Sequence, residues 1–356
     1  MVASAAPNDV GPFGVADLTD LVGKVLMAAG VVPDDAAFVA AHIVDAEARG
    51  RRSQGLVRVA PYVRSALSGD TASPTVLTLE RDSGSVLVLD SHGGWGHVAA
   101  ARAMIWCLDR AEATGACVAV VRDMRHMGRL GAYVEFATAR GMIGIIAGGG
   151  GDRASAWVAP WGGTRPVFGT NPIAIGFPRS GAPPVVVDVA TTQGTRGDVL
   201  LAQRTGQPLP DHWAFDSEGH PTRNPYEALP PRGSLAPLGG HKGYALAVAI
   251  EILCAVLAGA PTSSGSFVAA LRIGAFLPAE EYLRCLAALA EDIVGGPLRP
   301  GFDAIRLPGE GSAGHRAEAE GRGVRVPAPA WRALADIAAE LNVSHSLLPG
   351  AGAGGF

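Results

Sequence analysis

The segment Arg49–Val63, RGRRSQGLVRVAPYV, concentrates side chains that could meet a small charged molecule. Arg58 offers a planar, permanently charged fork suited to a carboxylate. Ser53 and Tyr62 add hydroxyl groups that can donate or accept. Gln54 stands among them as a neutral amide, which cannot carry a proton. It marks an inactive site, a reaction that needs no proton at that point, or a surface loop of no chemical interest. His126, on a glycine-flanked loop after an apolar strand, is a residue type that could pass a proton, although a single histidine is more often structural. An unperturbed imidazole, with a pKa near ~6.5, exchanges protons at neutral pH. Asp188 ends the apolar run VVVD, where a carboxylate is either a helix cap for the following ATT or a buried polar anchor. Thr170–Pro172, in GTNP, read as a turn with close backbone approach. Lys242 starts an apolar helix, where a cation opposes the helix dipole and an anion can compensate it.

These residues need elements to hold them. VADLTDLVGKVLMAAG and PDDAAFVAAHIVDAEARG are spaced as two helices stopped at Gly30 and Gly50, and they feed the Arg49–Val63 loop. SVLVLD, ACVAVVRD and MIGIIAGG read as strands, separated by the helices HVAAARAMIWCLDRAEATG and GAYVEFATARG. NPIAIGFP and PPVVVDVATT add two strands, so an α/β core is expected. Pro208–Gly240 reads as a long irregular segment of the kind that covers a site. Tyr244–Ala260, YALAVAIEILCAVLAGA, reads as a buried helix. It is short for a membrane span of roughly 20 residues and carries Glu251 in its middle. AEEYLRCLAALAEDIVGG and APAWRALADIAAELNV are amphipathic helices, and the tail PGAGAGGF is expected to fray.

Composition excludes several classes. Of 356 residues, 48% are hydrophobic and 17% charged, which fits a compact globular chain. A net charge of −4 leaves no basic footprint for nucleic acid or an anionic membrane. Cys107, Cys117, Cys254 and Cys285 form no CxxC pair, which argues against a structural metal and a disulfide framework, and for a reducing cytosol. The start, MVASAAPNDVGPFG, lacks the pattern of a signal peptide.

IGIIAGGGGDRASA looks like a nucleotide loop after a strand. No helix clearly begins after it, Pro160 and Gly162–Gly163 soon interrupt, and no P-loop is present, so a Rossmann domain is not expected. Six other fragments tell more: RGRRSQGLVRVAPY, MRHMGRLGAY, APWGGTRPVFGTNPIAIGFP, VVVDVATT, APLGGHKGYALAVAIEIL and IRLPGE. In this order, they resemble the malate/L-lactate/L-sulfolactate dehydrogenase family, which includes ureidoglycolate dehydrogenase, diketogulonate reductase and a cyclic ketimine reductase.

The resemblance implies an α/β, non-Rossmann, L-sulfolactate dehydrogenase-like fold and an intimate homodimer. A helical N-terminal segment, 1–80, would bind substrate and pack with the C-terminal part. A mixed-sheet domain, 81–260, would bind NADH or NADPH, and a helical part would occupy 261–356. Hydride would pass to or from C2 of a small 2-oxo or 2-hydroxy acid. Catalytic roles fall to His126, Gln54 and Asp188, and substrate contacts to Ser53, Arg58, Tyr62 and Thr170. The cofactor would meet His126, Asp188, Val189, Ala190, Thr191, His241 and Lys242, with Pro308, Gly309 and Glu310 as a second cofactor loop. No metal is implied.

Two departures stand out. The family normally has histidine at Gln54, and GAPTSSGSF, from Gly259 to Phe267, reads as a shortened loop, which would alter dimer contacts or a substrate lid. Reducing a ketone needs a proton at oxygen, whereas an iminium already carries its proton. Gln54 therefore keeps a ketimine reductase open beside the 2-oxo acid reading, and a catalytically silent member open beside both.

Overall fold

The computed structural model describes residues 9–151, 156–260 and 263–348; the expected frayed tail, and most of the segment read for a signal peptide, lie outside them. Strand β1 (Asp9–Phe13) precedes helices α1 (Val15–Ala28) and α2 (Pro33–Ala48). Two short 3-10 turns, Arg52–Gln54 and Leu56–Arg58, lead into α3 (Val59–Leu67). Next come β2 (Thr78–Asp82), β3 (Val86–Asp90), α4 (Gly96–Thr114), β4 (Ala116–Arg122), α5 (Gly131–Ala139), β5 (Met142–Gly150), β6 (Ile173–Phe177) and β7 (Val185–Val189). Helix α6 (Arg196–Thr205) and three short strands, β8 (Ala214–Asp216), β9 (Pro221–Thr222) and β10 (Gly233–Leu235), follow. The chain continues through α7 (His241–Glu251), β11 (Ser264–Arg272), α8 (Ala279–Val294), α9 (Glu310–Arg322), β12 (Val324–Pro327) and α10 (Ala328–Glu340).

Seven strands form one sheet in the order β2-β3-β4-β11-β5-β6-β7. Every neighbouring pair is antiparallel except β3–β4. A doubly wound dinucleotide fold needs a mostly parallel sheet, so this mixed sheet excludes one. Helices α4 and α5 cover one face, where Val121, Ile146, Ala174 and Val268 are buried against Met104 and Val134. Helix α7 covers the other, packing Ile250 and Cys254 on Ala147.

The glycine run that mimics a nucleotide loop is strand β5. Its missing side chains admit close neighbours: a Cβ on Gly144 would lie 2.6 Å from Ala137 Cβ, and one on Gly149 would lie 3.2 Å from Cys254 Cβ.

Three expectations need correction. Ser264–Phe267, read as part of a shortened loop, begin the central strand β11, hydrogen-bonded to both β4 and β5; Pro261 and Thr262 lie outside the described residues. A boundary after residue 260 therefore leaves the middle strand of the sheet with the C-terminal part. The apolar stretch Tyr244–Ala260 is not buried all round. It ends in a π-helical turn, Ile252–Val256, and exposes Leu246, Ile252, Val256 and Leu257. Pro208–Gly240 is not wholly irregular, because β8, β9 and β10 form a small sheet whose Ala214 and Leu235 pack on Val158, Phe168 and Val199.

The first and last described strands meet. Strand β1 pairs antiparallel with β12, and Leu18, Leu21, Val39 and Ile43 share one core with Ala319, Leu334 and Ile337. The turns bearing Ser53, Gln54 and Arg58 sit at the edge of that core through buried Leu56 and Val59.

Candidate active site

Two clusters form from the residues singled out in the sequence. The first joins the Arg52–Arg58 turns to the loop after β4. Buried Glu47, on α2, accepts the Leu56 backbone N–H at 2.9 Å, and Gly55 packs on its carboxylate without room for a side chain. Arg58 donates its Nε to the Ser53 carbonyl at 2.8 Å. That internal bond fixes the guanidinium plane and leaves both Nη atoms for another partner. Tyr62 follows Arg58 by four residues, one helical turn on. Its hydroxyl lies 2.6 Å from His126 Nδ1. Gln54 Oε1 is buried and has no hydrogen-bond partner among the described residues.

The loop carrying His126 is held from several sides. Gly128 donates its backbone N–H to His126 Nδ1 at 3.1 Å. A backbone N–H can only donate, so Nδ1 accepts, and the neutral ring carries its proton on Nε2. His126 is exposed as a residue; desolvation where its ring packs, then the positive charge of Arg58, then His97, lower its pKa from the ordinary value. Tyr133 donates to the Met127 carbonyl, and Arg129 donates its backbone N–H to His42 Nε2 at 2.9 Å. The Arg129 guanidinium reaches Glu135 at 3.0 Å and Asp45 at 3.1 Å. Asp45 also takes Arg49 at 2.8 Å and Arg316 at 3.1 Å, so α2, α5 and α9 brace the loop together. Gly128 adopts a left-handed φ of 68°, and a Cβ there would stand 2.7 Å from His42 Nε2 and 2.9 Å from His97 Nε2.

Those two imidazoles were given no part by the sequence. His97 is fully buried, 5.1 Å from the Tyr62 ring and 4.9 Å from the His42 ring between centroids. Both of its ring nitrogens lack hydrogen-bond partners among the described residues. Burial first, then neighbouring charge, lowers the pKa of each, that of His42 to about 3. An imidazole on an otherwise apolar helix face was the available signal, but nothing local says which other rings it meets.

The second cluster runs along β7. Asp188 Oδ2 accepts the Gly131 backbone N–H at 2.8 Å, at the first residue of α5. The carboxylate is thus an anchor that caps α5, and residues 190–192 form no helix for it to cap. Burial raises its pKa, against the opposing pull of the Gly131 bond and Arg129. Beyond β7, the Thr191 N–H and hydroxyl both donate to the Thr170 carbonyl at 3.0 Å. The Leu238 N–H donates to the Thr191 carbonyl at 2.9 Å, which ties Val189–Thr191 to the Gly239–Gly240 turn before His241 and Lys242. Both of those side chains are exposed, and among the described residues no carboxylate lies within 4 Å of Lys242. At the other end of the strand, the Val186 N–H donates to the Pro308 carbonyl at 2.9 Å. Gly309 turns the chain there with φ of 97°. Glu310 is engaged by Arg179 at 2.8 Å and by the Leu307 N–H at 2.9 Å. A cleft of about 450 Å³ opens beside this turn, lined by Arg49, Arg179, Val186, Gly309 and Arg316 among others. Among the described residues, no group of three or more His, Cys, Asp or Glu side chains could hold a metal ion.

A family model described as malate/L-lactate dehydrogenase matches residues 13–335. L-sulfolactate dehydrogenase of Methanothermobacter thermautotrophicus is 38% identical over 240 residues, covering 67% of this chain and 68% of that protein. Delta(1)-pyrroline-2-carboxylate reductase 2 of Burkholderia multivorans is 34% identical over 343 residues, covering 93% and 98%. The crystal structure of malate dehydrogenase from Entamoeba histolytica superimposes with a TM-score of 0.89 at 25% identity, covering 94% of this chain and 99% of that one. A match that runs from α1 into α10 and through both clusters makes this chain a member of the malate/L-lactate dehydrogenase family.

Proposed function

We propose that the chain is an NAD(P)H-dependent oxidoreductase that transfers hydride to or from C2 of a small 2-oxo or 2-hydroxy acid. The observation that carries this is the Tyr62–His126 pair, 2.6 Å apart, beside an arginine whose two Nη atoms are uncommitted. Arg58 takes the substrate carboxylate end-on and presents C2. His126, neutral with its proton on Nε2, donates a hydrogen bond to the C2 oxygen. As hydride reaches C2, Nε2 gives that proton to the oxygen and Nδ1 takes one from the Tyr62 hydroxyl, which water replaces; in the oxidative direction these transfers reverse, so the two side chains act as one proton-carrying unit. The nicotinamide cofactor, when bound, supplies or accepts the hydride.

The chain's residues fit such a cofactor. Asp188–Thr191, His241–Lys242 and Pro308–Glu310 are all joined to β7 or its extension, and Lys242 stands as an uncommitted cation at the first turn of α7, suited to a phosphate. Asp188 acts by fixing the start of α5, and through it the His126 loop.

Gln54 supports a second reading, reduction of a cyclic imino acid. Its orphaned Oε1 can accept the N–H of an iminium, which needs no proton from the protein. Decay of NADH and NADPH absorbance with a panel of 2-oxo acids and cyclic imines tests both. Turnover of 2-oxo acids supports the first reading and turnover of imines alone supports the second. No turnover, with no cofactor binding by calorimetry, leaves a silent member.

The chain works as a cytosolic homodimer in this reading. The exposed apolar residues Ile252, Val256 and Leu257 after α7, and Phe276, Leu289 and Ile293 on or beside α8, offer surface for a second copy. All four cysteines are free, as a reducing compartment would leave them. Light scattering during gel filtration checks the dimer.

A further inference from the structure

Arg196 was not singled out by any motif. It is the first residue of α6, in a turn fixed by a reciprocal capping box: Asp198 donates its N–H to Thr195 Oγ1 at 3.2 Å, and Asp198 Oδ2 accepts the Thr195 N–H at 2.9 Å. That turn presses on the Ser53–Gln54 turn, since a Cβ on Gly197 would stand 2.9 Å from Ser53 Cβ. The Arg196 guanidinium lies over the Trp157 ring at 4.5 Å from its centroid, which holds the planar fork in one orientation. Its Nε is buried and has no hydrogen-bond partner among the described residues. It also feels Arg58: burial first, then the Arg58 charge, lowers its pKa.

Among the described residues, no carboxylate lies within 4 Å of either guanidinium. Asp198, two residues on, is spent on the cap. Most other partly buried arginines near the site are paired, Arg129 and Arg49 with two carboxylates each and Arg52 with Asp9. Two unpaired, half-buried cations on adjoining turns repel each other, and Arg196 also opposes the dipole of α6. An anion on each offsets those costs.

We propose that Arg196 is a specificity-determining residue that binds a second anionic group, so that the preferred substrate is a 2-oxo or 2-hydroxy acid with a further carboxylate or sulfonate. The C1 carboxylate lies on Arg58 and the distal anion on Arg196, with Trp157 keeping the second fork planar to it. This rests on the oxidoreductase reading above, and it narrows that reading from small 2-oxo acids in general to dianions.

The test compares oxaloacetate with pyruvate as substrates under NADH and NADPH, and succinate with butyrate as inert ligands of the free protein by calorimetry. Each pair differs by one carboxylate. A hydrogen-bonded charge pair is worth about 10-fold to 100-fold in affinity, and the wild type is expected to favour the dianion by that factor in both assays. Arg196→Gln should bring both ratios to within about threefold of unity, and Arg196→Lys, which keeps the charge but loses the stacked fork, should fall between. Equal kcat/KM for oxaloacetate and pyruvate in the wild type overturns the proposal. So does a dianion preference that survives Arg196→Gln, or a loss that is equal for both substrates, the result of two arginines clamping one carboxylate. If the variants do not fold, the wild-type ratios still decide. Pyruvate turnover without dianion preference sinks only this inference; absence of all turnover sinks the oxidoreductase reading, and the succinate–butyrate comparison then still reports on Arg196.

Discussion

At the scale of single residues, the site depends on which atoms are already spoken for. Arg58 spends Nε on the Ser53 carbonyl and leaves the Nη pair without a hydrogen-bond partner among the described residues. Lysine has one ammonium and cannot serve both that carbonyl and a substrate carboxylate, so Arg58→Lys should lower kcat/KM by on the order of 10-fold or more. Steady-state kinetics with the best 2-oxo acid check this, and unchanged values would move Arg58 out of the site. His126 has no substitute nearby whose proton is as accessible: His42 and His97 are buried behind it, and Gln54 has no proton to give. His126→Ala should cost ~10²–10⁴-fold in turnover of 2-oxo acids. Gln54→His should raise 2-oxo acid turnover relative to cyclic imines, because it adds a proton carrier. A fall on every substrate would mean the amide is required, and no change on any would place Gln54 outside the pocket.

At the scale of elements, the His126 loop is stiff because α2, α5 and α9 share its charges. Asp45 is the common partner of Arg49, Arg129 and Arg316. Asp45→Asn keeps the shape and removes the charge, and should destabilise the fold by about 1–3 kcal/mol. Urea unfolding measures the loss, and hydrogen exchange should rise most in residues 124–130. An unaltered midpoint with unaltered exchange would show that Glu135 alone suffices. The same scale explains what the sequence could reveal. Local motifs were legible: the Arg49–Val63 segment, the His126 loop, the apolar strand before Asp188. Strand β11 was not, because Phe267 and Val268 are covered on opposite faces of the sheet, so the run shows no alternation of apolar and polar residues. The partner of Asp188 was not legible either, since Gly131 lies 57 residues away. Nor was the placement of Arg196, because its turn packs on Ser53 through Gly197, a contact between segments far apart in the chain.

Across the whole molecule, two neutral imidazoles sit in one interior. His42 and His97 both have depressed pKa values in the fold. Their contribution is fully present above the unfolded value near ~6.5, and is lost as pH falls toward the depressed values, at about 1.4 kcal/mol per proton per pH unit. Glu47 runs the other way. Burial pushes its carboxyl up to about 7, so its contribution is present below ~4.5 and fades as pH rises through about 7. Burial raises Asp188 in the same direction as Glu47, so the carboxyls offset part of the loss from the imidazoles. His97→Gln, which cannot charge, should lose less stability than the wild type from pH 6.5 to 5, by up to about 1.4 kcal/mol per pH unit. Differential scanning calorimetry of both proteins across this range checks it, and parallel profiles would contradict a buried neutral ring at residue 97.

The pairing of β1 with β12 bears on how the protein comes into being. On the ribosome, α1 and α2 emerge long before α10, and the hydrophobic side of Leu18, Leu21 and Ile43 is only partly covered until Leu334 and Ile337 follow. The turn that bears Arg58 leans on the same late-arriving helix, α10, so it is made long before the helix that sets it. A ribosome stalled before residue 324 would therefore display a completed sheet with greasy, unclosed leading helices, a natural target for a chaperone that reads exposed aliphatic chain.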